Sequence, residues 1–291
     1  MKRLMQYGAY PVVMTVCVAF HFVLIDRDVG SLMAAYVPVT LGALLVTLLE
    51  LYLPYRRAWR PSPGEVAHDS LFLTTVQVLL PKCLSFAAVL VIFHWLQGET
   101  WSLRAWWPSY WPVGWQAWWM VVLADGMRYW LHRLSHEWEP FWRFHAVHHA
   151  PHKLYWLNVG RFHPIDKALQ FLFDSVPFIV LGVGEDVLSL YFVGYAVNGF
   201  FQHCNIDVRL GLLNYLISGP ELHRWHHSMV KDESNRNYGN NLIIWDLVFG
   251  SRYLPADQEV ETLGLVNRRY PEGFMDQMAA PFTRHLDQRA A

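Results

Sequence analysis

Eight of the fifteen histidines in this 291-residue chain fall in three short clusters. His132 and His136 are four residues apart. His145, His148 and His149 form an HxxHH box, and His223, His226 and His227 repeat it. On a helix, residues three and four apart share a face, so each cluster can aim its imidazoles at one point. Neutral imidazole is the commonest side-chain metal ligand and suits zinc, copper, iron and nickel. One ion takes about four to six ligands, so eight histidines point to two ions. A lone HxxH on an amphipathic helix is often a pair of ordinary interfacial histidines. Three clusters, two of them with the same spacing, are not explained that way.

The residue types narrow the chemistry. Structural zinc uses four ligands and favours cysteine. Here Cys17, Cys83 and Cys204 are scattered through apolar segments with no CxxC, and read as small core residues. A two-metal hydrolase usually adds bridging carboxylates, and none lies inside the boxes. Iron that cycles with dioxygen tolerates an all-nitrogen shell, so the residues favour redox iron over zinc. A zinc-dependent membrane hydrolase and a non-catalytic metal carrier stay open as alternatives.

The elements that must position these histidines are membrane helices. The chain is 54% hydrophobic and only 16% charged, below the roughly one quarter usual for soluble domains. A net charge of −1 leaves no nucleic-acid footprint. Long apolar runs predict spans over about 8–25, 31–53, 70–96 and 115–134. The N-terminal run resembles a signal peptide but is long and lacks a small-residue cleavage site, so it reads as a retained anchor. Residues 54–69 read as a loop broken by prolines. The third run is interrupted at Pro81-Lys82. Residues 97–114, rich in Trp, Tyr and Pro, read as an interfacial aromatic belt. Apolar stretches 168–182 and 187–204, joined by GVGED, suggest a hairpin.

In the fourth run Asp125, Arg128, His132 and His136 make one polar stripe. Ionisable residues inside a membrane helix point to function. Asp125 is the expected acceptor for a metal-bound histidine. Its plain alternative is an ion pair with Arg128. Lys2, Arg3, Arg56, Arg57, Arg60, Arg133, Arg143 and Lys153 mark one side of the membrane, and the loop with Arg104 the other. The positive-inside rule then puts all three boxes on the cytoplasmic side. The expected fold is an all-α, polytopic membrane helix bundle, about four spans plus a hairpin, with a cytoplasmic helical cap carrying a dimetal histidine site. Its expected divisions are N-terminal membrane spans over 1–114, a histidine-box catalytic region over 115–255 and a C-terminal tail over 256–291.

Taken with WRFHAVHH, RFHP at 161–164, HRWHH and NYG…IWDLVFG, the three boxes resemble the fatty acid hydroxylase/sterol desaturase superfamily over about 125–254. These are integral-membrane, non-haem di-iron oxygenases. The resemblance implies that His132, His136, His145, His148, His149, His223, His226 and His227 are iron ligands. His203 matches a further histidine the family places before its last box. Where some members have another histidine four residues earlier, this chain has Gly199, and Asn198 or a water could fill the gap. His152 and His163 fit supporting or packing roles, and Asp125, Asp246 and Glu221 are candidates to support the ligands. Two iron ions and O2 are implied as cofactor and co-substrate. The substrate is a membrane lipid (a sterol-like, fatty acyl or alkyl chain) oxidised at an unactivated C–H bond to an alcohol or an alkene. A separate donor of ferredoxin or cytochrome type supplies electrons. The compartment implied is the inner membrane in a bacterium or the endoplasmic reticulum in a eukaryote.

Overall fold

The computed structural model describes residues 2–96 and 106–283. Residues 97–105 of the aromatic stretch, with Arg104, and 284–291 of the tail lie outside the described residues. The architecture is all-helical. Among the described residues the only β-pairing is three isolated bridges.

Helices α1 (Lys2–Asp26) and α2 (Ser31–Tyr52) pack side by side. A third helical stretch runs as α3 (Pro63–Phe72), a π-helical segment (Leu73–Leu79) and α4 (Leu80–Leu96). Among the described residues three helices, Lys2–Asp26, Ser31–Tyr52 and Pro63–Val91, are long and apolar enough to cross a membrane. Their outer faces carry bare apolar side chains. Val12 is 60% exposed, Leu44 58% and Phe86 68%, a surface that calls for lipid rather than water. Cys83 is exposed on this third stretch, unlike the buried Cys17 and Cys204. The protein is an integral membrane protein.

The stretch read as a loop at 54–69 is helical from Pro63 onward. Ser62 accepts from the Glu65 amide, and the Glu65 carboxylate accepts from the Ser62 amide. This capping box with proline at the first turn was present in the sequence as Ser-Pro-Gly-Glu. The break expected at Pro81 is instead spread over the π segment, where the Leu80 amide reaches Thr75 O. Helices with such wide turns often serve functional sites, and Leu73 and Gln77 face the cavity described below.

Helix α5 (Val113–Glu137) holds the polar stripe, and α6 (Glu139–His149) follows after a sharp turn at Trp138. Then come α7 (Pro164–Asp174), α8 (Val176–Val180) and α9 (Glu185–His203). Short helices complete the described chain: α10 (Pro220–His226), α11 (Lys231–Ser234), α12 (Ile244–Val248) and α13 (Phe274–Ala279). Helix α9 is central. Its Val193, Val197 and Phe201 pack against Tyr10 and Cys17 of α1 and Val46 of α2. Gly42 permits this approach, because a Cβ there would lie 2.9 Å from Val197 Cγ2. His21 is buried and ties α1 to α2 through Ala34 O at 2.9 Å.

The described part of the tail packs back on the bundle. Leu265, Tyr270 and Ala280 pack on Trp142, Ala146 and Ala150 behind α6. The π segment is clamped from the other side by Gly160, whose added Cβ would sit 2.9 Å from Leu73 Cα. Gly160→Ala should therefore destabilise the protein by about 1–3 kcal/mol, read as a lower Tm in detergent. An unchanged Tm would show that this approach is not tight.

Candidate metal centre

The three boxes converge. His132 and His136 come from α5, and His145, His148 and His149 from α6. His203 ends α9. His223 and His226 lie on α10, with His227 as its C-terminal cap. All nine meet in two adjoining groups. His132, His136, His145, His149 and His226 form one, and His148, His203, His223 and His227 the other. Within each group the ring nitrogens lie within 4.8 Å of one another. The stacked rings of His149 and His227, 4.3 Å apart, join the groups.

Helix geometry explains the sorting. Residues i and i+4 differ by about 40° around the axis, while i+3 falls about 60° to the other side. The pairs 132/136, 145/149 and 223/227 each stay in one group, and His148 and His226, at i+3, cross to the other. Each HxxHH box thus reaches both groups.

Hydrogen bonds fix which nitrogen faces inward. Nδ1 of His132 donates to Tyr238 O at 2.8 Å, that of His145 to Asp166 at 2.8 Å, and that of His226 to Arg236 O at 2.8 Å. In the second group His148 Nδ1 donates to Arg161 O at 3.2 Å and His203 Nδ1 to Asn158 Oδ1 at 2.8 Å. The Asn158 amide is oriented by its own bond to Lys153 O. A neutral imidazole carries one hydrogen, so these rings turn bare Nε2 lone pairs inward. His132 Nε2 and His145 Nε2 then lie 3.0 Å apart with no hydrogen between them. His203 Nε2 is 3.0 Å from His223 Nε2, where a hydrogen on His223 can bridge the pair because its Nδ1 has no partner. Facing lone pairs repel, and a shared cation removes the repulsion. The donor set therefore fits metal ions.

Electrostatics agree. Burial, with neighbouring imidazoles, pushes His148, His149, His223 and His227 well below their ordinary value, so they are neutral ligands in waiting. Burial pushes the Asp166 carboxyl up, but His145 and Gln170 outweigh it and hold the group below its usual range. It is thus the ionised acceptor that a metal-bound histidine uses.

The acids singled out from sequence support the site at one remove. Asp125 bonds no histidine. It accepts from the Asn241 amide at 2.7 Å, the Asn241 side chain at 2.8 Å and the Leu242 amide at 2.5 Å. Arg128 pairs with Asp174 at 3.6 Å. Asp246 accepts from the Tyr238 and Gly239 amides and Ser251, fixing the carbonyl that His132 uses. Glu221 binds the Leu210 amide and Asn214. Asn198 does not face the position left by Gly199; it bonds Tyr10, Ser218 O and Asn240 O. His163 caps α7 through the Ile165 amide, and His152 meets Arg268. Asp166 and Asn158 were missed. The only signal was the carboxylate three residues beyond His163 in RFHPID.

A cavity reaches both groups. His132, His145, His148, His203 and His223 form its floor, and Leu73, Val159, Phe162, Phe192 and Phe200 its apolar walls. Phe162 stacks on His148 at 4.0 Å. Such a space admits a hydrocarbon and keeps water from the imidazoles.

The lowered histidines give a pH prediction. Their folded values lie below the 6.5 of the free side chain, so the unfolded chain binds protons better. Stability is full above that value and falls as pH drops through it. The metal-free protein should melt several degrees lower at about pH 5 than at about pH 7.5. An equal Tm would mean these rings are not held neutral.

A model of the family described as "Fatty acid hydroxylase" matches residues 117–251, which include all nine histidines. Ornithine lipid hydroxylase OlsE of Rhizobium tropici is 35% identical over 244 residues, covering 82% of this chain and 73% of that protein. Human alkylglycerol monooxygenase is 27% identical over 225 residues, 76% of this chain and 48% of that protein. Rat methylsterol monooxygenase 1 is 24% identical over 148 residues, 50% of this chain and 49% of that protein. The chain thus spans about half the length of the latter two. No solved structure matches significantly. With a relative this similar over most of both chains, and the family match lying across the histidine boxes, this chain belongs to the fatty acid hydroxylase family.

Proposed function

We infer that the protein is a membrane-bound, O2-dependent di-iron enzyme that hydroxylates an unactivated C–H bond of a membrane lipid. The observation that carries this reading is the pair of adjoining all-histidine groups with bare nitrogens turned inward at the floor of an apolar cavity. The nine histidines are the proposed ligands, five for one iron and four for the other. The two irons would supply the redox chemistry with O2 that breaks a C–H bond. Hydroxylation is favoured over desaturation because the similar proteins are named as hydroxylases and monooxygenases.

The chain's own residues do the rest. Asp166, Asn158 and the carbonyls of Arg161, Arg236 and Tyr238 hold five rings in one tautomer and orientation. The cavity walls hold the reacting carbon against the floor and exclude water. A separate ferredoxin- or cytochrome-type protein is the proposed electron donor, approaching from the cytoplasm. In support of that side, the start of α1 and the end of α2 reach the chain that leaves His203, through Lys2–Asp207 and the Tyr55 amide on Asn205 O. The proposed catalytic region, 115–255, borrows Leu73 and Gln77 from the N-terminal spans for its cavity.

Elemental analysis of protein purified with iron available should find about two irons per chain. Stoichiometric zinc without iron, after checking that zinc had not displaced it, would instead support the hydrolase. His148→Ala or His226→Ala should abolish lipid oxidation while the protein still inserts; wild-type activity in either would sink the ligand assignment. Asp166→Asn should weaken metal retention about 10–100-fold, measured by chelator competition.

A further inference from the structure

We propose that the polar end of this cavity is a carboxylate-binding site built on Arg128, so that the lipid oxidised here carries a free carboxylate a few bonds from the carbon that reacts. The proposal rests on the lipid-hydroxylase reading above and names its substrate class.

Arg128 lies one turn before His132 on α5, is 5% exposed and lines the cavity beside His132 and His145. Its Nε and Nη1 make no hydrogen bond. Its ion-pair partner Asp174 is 3.6 Å from Nη1, too far for a hydrogen bond. The other acids nearby are engaged. Both oxygens of Asp125 accept from Asn241 and Leu242, and Asp166 accepts from His145 and Gln170. Asp174 itself accepts from Ser175. Two more residues of the same lining each hold a buried atom with no partner: Asn240 Nδ2, a donor, and Gln77 Oε1, an acceptor.

Buried polar groups are costly to leave unbonded, and one guanidinium and two amide side chains with unpartnered atoms around one cavity make a built polar end. The planar guanidinium fork matches a carboxylate, which can take two parallel bonds. Asn240 can donate to the same group. Gln77 can accept from an adjacent amide or hydroxyl hydrogen. Arg128 and His132 are four residues apart, roughly 6 Å along the helix. A carboxylate held at Arg128 therefore leaves the next few carbons over the histidine floor. The middle of a long acyl chain would lie beyond it.

The test uses the metal-loaded enzyme in phosphatidylcholine nanodiscs with an N-acyl amino acid and its methyl ester. The free acid should bind at least about tenfold tighter than the ester, as a charge-assisted bidentate contact requires. R128Q should erase that preference, and N240L should reduce it. Size-exclusion profiles check folding; if R128Q misfolds, R128K, which keeps the charge but loses the fork, carries the comparison with N240L. Equal binding of acid and ester by the wild type, or a wild-type preference in the folded variants, overturns the proposal. So does phosphatidic acid binding as tightly as the carboxylate. Product analysis separates the two readings. A carboxylate preference that depends on Arg128 without any O2-dependent product leaves the site standing and sinks the hydroxylase. Oxidation of acid and ester alike, unchanged in R128Q, does the reverse.

Discussion

The structure depends on one constraint: neutral imidazoles whose lone pairs face each other in a water-poor interior. Two bare Nε2 atoms at 3.0 Å, as in His132 and His145, repel unless a cation or a proton stands between them. Of the two, only a metal ion also satisfies the further imidazole nitrogens gathered within 4.8 Å of this pair. The folded chain therefore stores a preference for a metal ion, and every layer around the histidines works to keep those lone pairs inward.

The layers can be followed outward. Carbonyls and side-chain oxygens take the Nδ1 hydrogens. The carbonyls of Arg161, Arg236 and Tyr238 sit on loops, which carry no repetitive hydrogen bonding of their own. Buried acids supply it: Asp125 holds Asn241 and Leu242, and Asp246 holds Tyr238 and Gly239. Asn237, in the left-handed region at φ 54°, bonds Leu222 O and Tyr253 O and so ties this loop to the last box. Asp69 does the same for the 155–161 segment, with its carboxylate between Tyr155 and Arg161. A carboxylate that accepts several such bonds rigidifies a loop more than a single bond would.

This layering marks what the sequence could tell. The histidines were legible because clustering at helical spacing is a strong signal, and the apolar runs because a membrane demands length. The partition of each HxxHH box between two groups also follows from helical geometry, though the boxes alone do not say which ring goes where. The supporting oxygens were not legible. A backbone carbonyl has no residue type, and Asp125 has the same spacing to His132 whether it binds that ring or the 240s loop. Tertiary contacts decide: His132 goes to the Tyr238 carbonyl, and the carboxylate that takes a histidine is Asp166, which binds His145 from α7, an element outside the boxes. The helix at Pro63 was legible and overlooked, since its capping box stands in the sequence.

The lipid-oxidising site proposed here has two needs that conflict. Metal-binding rings need polar partners, and a hydrocarbon substrate needs an apolar, dry approach. Here the conflict is resolved by facing the two needs in opposite directions. The Nδ1 sides of His132 and His148 point to the carbonyls of Tyr238 and Arg161, and their rings line the cavity between α5, α9 and the π segment. The wide π turn matters to this arrangement. It brings Leu73 against Gly160 and Gln77 to the cavity, so a membrane helix closes the wall that the histidine segments leave open. The outer face of that helix carries the exposed Phe86, Leu90 and Val91. The same helical stretch thus meets lipid on one face and lines the cavity with the other, opposite the buried Arg128.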